Sequence, residues 1–235
     1  MPIFQLSKQM LFPPVDLAEP DGLLAVGGDL TAERLLLAYQ TGIFPWYNKG
    51  EPILWWSPDP RMVLYPRELK VTKSMRQVLR SGNFNITMDT DFEAVIKACA
   101  KTKRDGQRGT WIIPDMVSAY INLHQLGYAH SVEVWEGDQL VGGLYGIALG
   151  MVFCGESMFS KVSNASKAGF ITLVSWLQHR GFHFIDCQTH TPHLESLGAR
   201  QIARAQFLVE LQNAQADGLT KGKWDYTDNS FQAKA

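Results

Sequence analysis

Between Tyr128 and Phe159 three apolar stretches succeed one another with almost nothing between them: Val132, Val134 and Trp135, then Leu140–Leu149, then Met151–Phe159. Turn signals at Gly137-Asp138 and at Gly150 separate them, so each stretch folds back on the one before and the segment makes an antiparallel meander. The period then changes. Ala165, Ala168, Phe170, Ile171, Val174 and Leu177 recur at helical spacing between Asn164 and His179, and Gly181 stops that helix. Phe182–Cys187 reads as another strand, followed by a polar stretch to Pro192, a short helical turn to Leu197 and a last helix from Ala203 to about Ala214. This order predicts a mixed α/β (α+β) domain with helices packed on a sheet.

Upstream, residues 71–81 suit a short basic helix and Phe84–Met88 a strand. Asp91–Ala100 suits a helix capped by Asp89 or Thr90, and Pro114 opens a helix that reaches about Leu126. Pro13, Pro14, Pro20, Pro45, Pro52, Pro58 and Pro60 crowd the first sixty residues, where one good helix fits, Thr31–Gln40, with Thr31 as N-cap and Gly42 as the stop. The rest of that segment is expected to be ordered loop pinned by Trp46, Trp55 and Trp56. The expected division is a small N-terminal domain, 1–62, and an α/β domain, 63–235.

The chain has 235 residues, 46% hydrophobic, which excludes a disordered chain. Cys99, Cys154 and Cys187 show no pair spacing and read as reduced thiols in a cytoplasmic protein. No export signal is visible at the start, and the longest uncharged run, Gln139–Gly155, is shorter than the roughly 20 apolar residues of a membrane helix. The net charge of -1 gives no global attraction to nucleic acid, but the charge is uneven. Arg61, Arg67, Lys70, Lys73, Arg76 and Arg80 are opposed within their block by Glu68 alone, and a second basic knot follows at Lys101, Lys103, Arg104 and Arg108. Such a run is either a solvated face or a phosphate-contacting surface.

Most generic motifs fail. Gly218, Gly222 and Lys223 have the wrong spacing for a phosphate loop, and no dinucleotide glycine fingerprint exists. Gly155-Glu156-Ser157-Met158-Phe159 lacks the closing glycine of a serine-hydrolase elbow. Cys187, His190 and His193 stand three apart, but on irregular chain, so satisfied loop histidines are favoured over a zinc site and no metal is expected. Unusual neighbours remain. Glu156 lies within an apolar strand, and Asp186 ends another, with Gln188 two residues on and on the same face. Carboxylates so placed either cap backbone N–H groups or form the anionic floor of a pocket with apolar walls.

At these residues the sequence resembles the leucyl/phenylalanyl-tRNA–protein transferase family. The stretches that carry the likeness are PDGLLAVGGDL (20–30), GIFPW (42–46), ILWWSPDPR (53–61), GTWI (109–112), HSVEVW (130–135), LVGG (140–143), FCGESMFS (153–160), NASK (164–167), IDCQ (185–188) and HLESLGA (193–199). The resemblance implies an enzyme that moves Leu or Phe, and Met less well, from aminoacyl-tRNA to the α-amine of proteins with N-terminal Arg or Lys, marking them for N-terminus-dependent proteolysis. It implies a C-terminal domain similar to the N-acetyltransferase (GNAT-like) fold, and no metal, cofactor or membrane partner. By motif, Trp46 and Trp111 would hold the terminal adenosine, and Leu144, Phe153, Met158, Phe170, Leu173 and Ile185 would wall the side-chain pocket. Glu156 and Asp186 would be the acceptor-side carboxylates, with Asp186 polarising Gln188 so that its carbonyl oxygen orients the amine. Lys73, Arg76 and Arg80 are the expected contacts to the tRNA backbone. Two rival readings are a coenzyme-A-dependent N-acetyltransferase, weakened because Gln139-x-x-Gly142-x-Leu144 is a poor pyrophosphate loop, and a non-catalytic tRNA-binding module, which gives Glu156 and Asp186 no purpose.

Overall fold

The computed structural model describes residues 3–102, 110–216 and 221–226. Its proline-rich opening is a sheet, where loop was expected. β1 (Phe4–Leu6) pairs in parallel with β2 (Leu23–Gly27). After helix α1 (Ala32–Gln40), β3 (Phe44–Pro45) and β4 (Leu54–Trp56) complete a four-stranded sheet in the order β1-β2-β4-β3. Strands this short show too little alternation to be read from sequence, and Pro45 is tolerated because β3 is an edge strand. Trp55 is fully buried and donates its indole N–H to the Gly27 carbonyl at 2.8 Å. The α1 boundaries follow the sequence signals: the Thr31 hydroxyl accepts from the Arg34 amide, and Gly42 takes the left-handed conformation just past the end.

The larger sheet begins with β5 (Arg61–Leu64) and draws in strands from the rest of the chain. In sequence there follow α2 (Lys73–Arg80), β6 (Asn85–Met88), α3 (Phe92–Lys101), α4 (Pro114–Gln125), β7 (Ala129–Glu136), β8 (Gln139–Leu149) and β9 (Val152–Ser160). Then come α5 (Ala165–His179), β10 (Phe184–Gln188), α6 (Pro192–Ser196), β11 (Arg200–Ile202) and α7 (Arg204–Ala214). The spatial order is β11-β5-β10-β9-β8-β7-β6. The β7–β8–β9 meander is present as expected, and α5 is the crossover that lets β10 lie parallel to β9.

Two apolar clusters lie on the sheet. One joins α3, α4 and α7 to the N-terminal sheet through residues such as Leu24, Tyr39, Trp55, Tyr120 and Phe207; the other holds α2 and α5 against Val132, Leu144 and Ile185. The cap of α3 is Asp91, which accepts from the Ala94 amide at 3.0 Å, and neither Asp89 nor Thr90. Asp89 instead accepts from His130 Nδ1 at 2.8 Å and from the Trp224 amide at 2.7 Å, and the Trp224 ring stacks on His130 at 3.9 Å. That cluster ties residues 221–226 back onto β7.

Candidate active site

The pairing of β9 with β10 ends at Cys154 opposite Asp186, although β9 runs on to Ser160 and β10 to Gln188. Both strands then line a cavity of about 370 Å³, within the size range of small-ligand sites. Leu144, Phe153, Met158, Phe170 and Ile185 contribute to its apolar lining, Glu156 and Gln188 are among its polar groups, and Trp46 and Trp111 give it an aromatic rim. Nine residues singled out in the sequence thus meet at one hollow. Leu173 does not: it is fully buried in the core behind, with Ile185 and Leu64.

The cavity floor depends on Gly146, which faces Gly155 across β8 and β9. A Cβ at Gly146 would stand 2.2 Å from the Cys154 carbonyl oxygen and 2.5 Å from Phe153 Cζ. Gly146→Ala must move main chain or push the Phe153 ring toward the hollow, so a loss of about 1–3 kcal/mol from overpacking is expected in urea unfolding.

The two carboxylates sit in opposite circumstances. Asp186 is 1% exposed and does not line the cavity. Its Oδ1 and Oδ2 take a two-pronged bond from Arg61 Nε at 2.8 Å and Nη2 at 2.7 Å. Asp186 pairs with Val63, so Arg61, two residues along β5, is its diagonal neighbour on the same face. Arg61 also donates to the Gly42 carbonyl at 3.1 Å and lies over the Phe207 and Phe44 rings. It is a buried structural cation and not part of the basic surface to which its sequence neighbours assigned it. Asp186 Oδ1 accepts from the main-chain N–H of Gln188 at 2.9 Å, not from its side-chain amide. That bond supports Gln188 in a left-handed conformation, φ 62°.

Glu156 reaches the cavity. Its Oε1 accepts from Gln188 Nε2 at 2.8 Å and from the Tyr39 hydroxyl at 2.7 Å, and its Oε2 accepts from the Tyr120 hydroxyl at 3.0 Å. Burial raises its pKa to about 7 against the opposing pull of these three donors. Tyr39 and Tyr120 were not anticipated, because each stands on the apolar face of its helix among core positions. A phenol in such a face needs a partner for its hydroxyl, and that is the signal that could have found them.

Lys73, Arg76 and Arg80 are exposed on α2, while Met75 between them is buried. Of the second basic knot, Lys101 ends α3, and Lys103, Arg104 and Arg108 lie outside the described residues. His190 bonds Glu195 at 3.0 Å, and among the described residues no three His, Cys, Asp or Glu side chains converge as metal ligands. Likewise, among these residues no helix is long and apolar enough to cross a membrane.

The model of the leucyl/phenylalanyl-tRNA protein transferase family matches residues 63–212, and the model of that family's N-terminal domain matches residues 28–59. The chain is 59% identical over 211 residues to the leucyl/phenylalanyl-tRNA–protein transferase of Syntrophobacter fumaroxidans, covering 90% of both chains. It is 53% identical to the protein of the same name from Anaeromyxobacter sp. strain Fw109-5, covering 96% of both. With the Flavobacterium johnsoniae protein it shares 56% identity over 90% of this chain and 100% of that one. Among solved structures, a GCN5-related N-acetyltransferase-like protein from Streptococcus suis overlaps 70% of this chain and 61% of its own, at 14% identity and a TM-score of 0.36. That overlap is too low to add to the topology described above.

Proposed function

Because the chain belongs to the leucyl/phenylalanyl-tRNA–protein transferase family, we propose that it moves Leu or Phe, and Met less well, from aminoacyl-tRNA to the α-amine of proteins beginning with Arg or Lys. The new bulky N-terminus then marks the product for N-terminus-dependent proteolysis. The observation that carries this reading is a single hollow with greasy walls, an aromatic rim and one carboxylate beside one amide.

On the donor side, Leu144, Phe153, Met158, Phe170 and Ile185 enclose the esterified side chain, with Leu173 backing them. Full burial of a Leu or Phe side chain contributes about 1.5–3 kcal/mol. A site of this kind separates ligands differing by one methylene by about 1–3 kcal/mol, hence the weaker use of Met. Trp46 and Trp111 hold the terminal adenosine, since stacking contributes about 1–3 kcal/mol per base.

On the acceptor side, Glu156 draws the cationic N-terminus and Gln188 orients the amine. Asp186, already matched by Arg61, works through the main chain of Gln188 as a positioning residue. An aminoacyl ester is an activated acyl donor, so the transfer needs no ATP or coenzyme, and orientation supplies most of the acceleration. The three cysteines are buried free thiols, which suits the reducing cytoplasm as the place of reaction.

Donor selectivity tests this directly. With labelled aminoacyl-tRNAs and an acceptor beginning with Arg, Leu and Phe transfer, Met transfers less, and Lys does not. Equal use of Phe and Lys would overturn the apolar pocket. The α2 surface has its own test. Reversing Lys73, Arg76 and Arg80 to Glu weakens tRNA binding and lowers the slope of log affinity against log salt by about 2–3. Unchanged binding at low salt would make α2 a solvated face.

A further inference from the structure

The hydroxyls of Tyr39 and Tyr120 are in direct hydrogen-bonding contact, and each also touches Glu156, Tyr39 at Oε1 and Tyr120 at Oε2. The three groups form a closed ring of three oxygen–oxygen contacts. Each contact needs one proton between its oxygens, and each phenol supplies one. With Glu156 ionised, both phenols donate to the carboxylate and the contact between them holds no proton. With Glu156 protonated, the acid donates to Tyr120, Tyr120 to Tyr39, and Tyr39 to the far carboxyl oxygen, so every contact is filled. Gln188 Nε2 donates to Oε1 in either state. The arrangement is therefore built to receive one proton.

We propose that this ring is the proton store of the transfer: Glu156 takes the proton that the acceptor's α-ammonium must shed before it attacks the ester, and Tyr39 and Tyr120, each donating to one of its oxygens, keep it ready as a carboxylate until that proton arrives. The inference rests on the aminoacyl-transfer reading and deepens it. The amine nitrogen, freed of its proton, forms a bond to the ester carbon. The tetrahedral intermediate collapses with cleavage of the bond to the ribose oxygen, and the second proton on nitrogen passes to that leaving oxygen. Glu156 releases its proton to water after the peptide leaves. One ammonium and one ester become one amide, one ribose hydroxyl and one proton, with no further reactant.

The surroundings fit the role. An α-ammonium has an ordinary pKa of about 8, so a carboxyl that titrates near 7 is a matched acceptor, whereas an exposed carboxylate would be too weak a base. Other groups face the ring from each neighbouring element. Asp186 on β10 pushes the proton affinity of Glu156 up, although Arg61 on β5 pairs with it. Cys154 lies below on β9 with its thiol pushed well up by burial, and Tyr145 on β8 meets the Tyr120 ring edge-on at 5.6 Å. Across the hollow, burial and then Lys167 hold the pKa of His193 down. Burial raises both phenols well above their usual range, so they stay protonated throughout. Tyr39 comes from α1, so the N-terminal segment completes the ring.

The test is the pH profile of kcat/KM for transfer of Leu from Leu-tRNA to an Arg-initial peptide. The wild-type rate rises with pH through an inflection near 7, as the accepting carboxylate forms. Tyr39→Phe and Tyr120→Phe each remove a donor to the carboxylate and move that inflection upward by about one pH unit. Glu156→Gln removes the inflection near 7, leaving that of the acceptor amine, and slows transfer about 10²-fold. The acceptor's own ionisation is common to all variants and cannot produce the difference. Inflections unmoved in both tyrosine variants, or a normal profile in Glu156→Gln, would overturn the proton store while leaving the transferase reading intact. Absence of wild-type transfer would instead overturn that reading. If the tyrosine variants fail to fold, the Glu156 carboxyl C=O infrared band, assigned by its loss in Glu156→Gln, decides. It must titrate near pH 7 in the wild-type protein, and no titration between pH 5 and 9 overturns the proposal.

Discussion

Arg61→Met is expected to lower the unfolding free energy by about 3–5 kcal/mol, the usual consequence of leaving one member of a buried ion pair without its partner. A small domain has about 5–15 kcal/mol in total, so the variant should lose a large part of its margin. Asp186 would be left at 1% exposure with two of its hydrogen bonds gone. The Gly42 carbonyl would lose a donor, and the Phe44 and Phe207 rings would lose the guanidinium that lies over each of them. A fall in urea midpoint with unchanged slope would read the loss. Arg61→Met combined with Asp186→Leu should recover most of it, because two apolar residues of similar volume replace a pair whose attraction is largely cancelled by desolvation. The double variant should still transfer poorly, since the Gln188 main-chain N–H has lost the Asp186 oxygen that holds it. If both single and double variants unfold at the wild-type midpoint, the pair is energetically idle and its place in the account fails.

Gln188→Ala is expected to slow transfer about 10²-fold, with kcat and kcat/KM falling together. That pattern marks an interaction used in the transition state, and misplacement of a reacting group by about 1 Å has effects of this size. The carboxyl side of Glu156 fixes which way the amide points: the NH₂ goes to Oε1, which leaves the carbonyl end of Gln188 for the incoming amine. Gln188→Glu keeps the shape but sets a second acid against Glu156, so it should not rescue. Rapid-quench turnover with bound Leu-tRNA separates the chemical step from binding. A rise in KM with kcat unchanged would place Gln188 in binding alone.

The frame of this site was visible in the sequence because its elements are long and regular. The meander of β7, β8 and β9 and the apolar face of α5 show full periods, and Thr31, Pro114 and Gly127 punctuate their helices as capping chemistry requires. What stayed hidden was short or long-range. β3 has two residues and β11 three, less than one alternation, and β5 owes its burial to strands that lie more than a hundred residues away. For that reason Arg61 passed as one more cation of a basic run, although its partner is Asp186. Glu156 and Gln188 stood out as polar residues in apolar strands. The phenols of Tyr39 and Tyr120 did not, because a tyrosine suits a core helix face equally well. Asp89, read as a helix cap, turns out to bind His130, a contact that no local signal announces.

The most direct measurement of the central claim is the fate of label from Leu-tRNA in the presence of a protein beginning with Arg and of the same protein with its α-amine acetylated. Labelled Leu is expected to become the new first residue of the free-amine protein, joined by a peptide bond, while the acetylated protein receives none. Label taken up equally by both proteins, or Leu-tRNA bound in the hollow with no transfer to either, would contradict it.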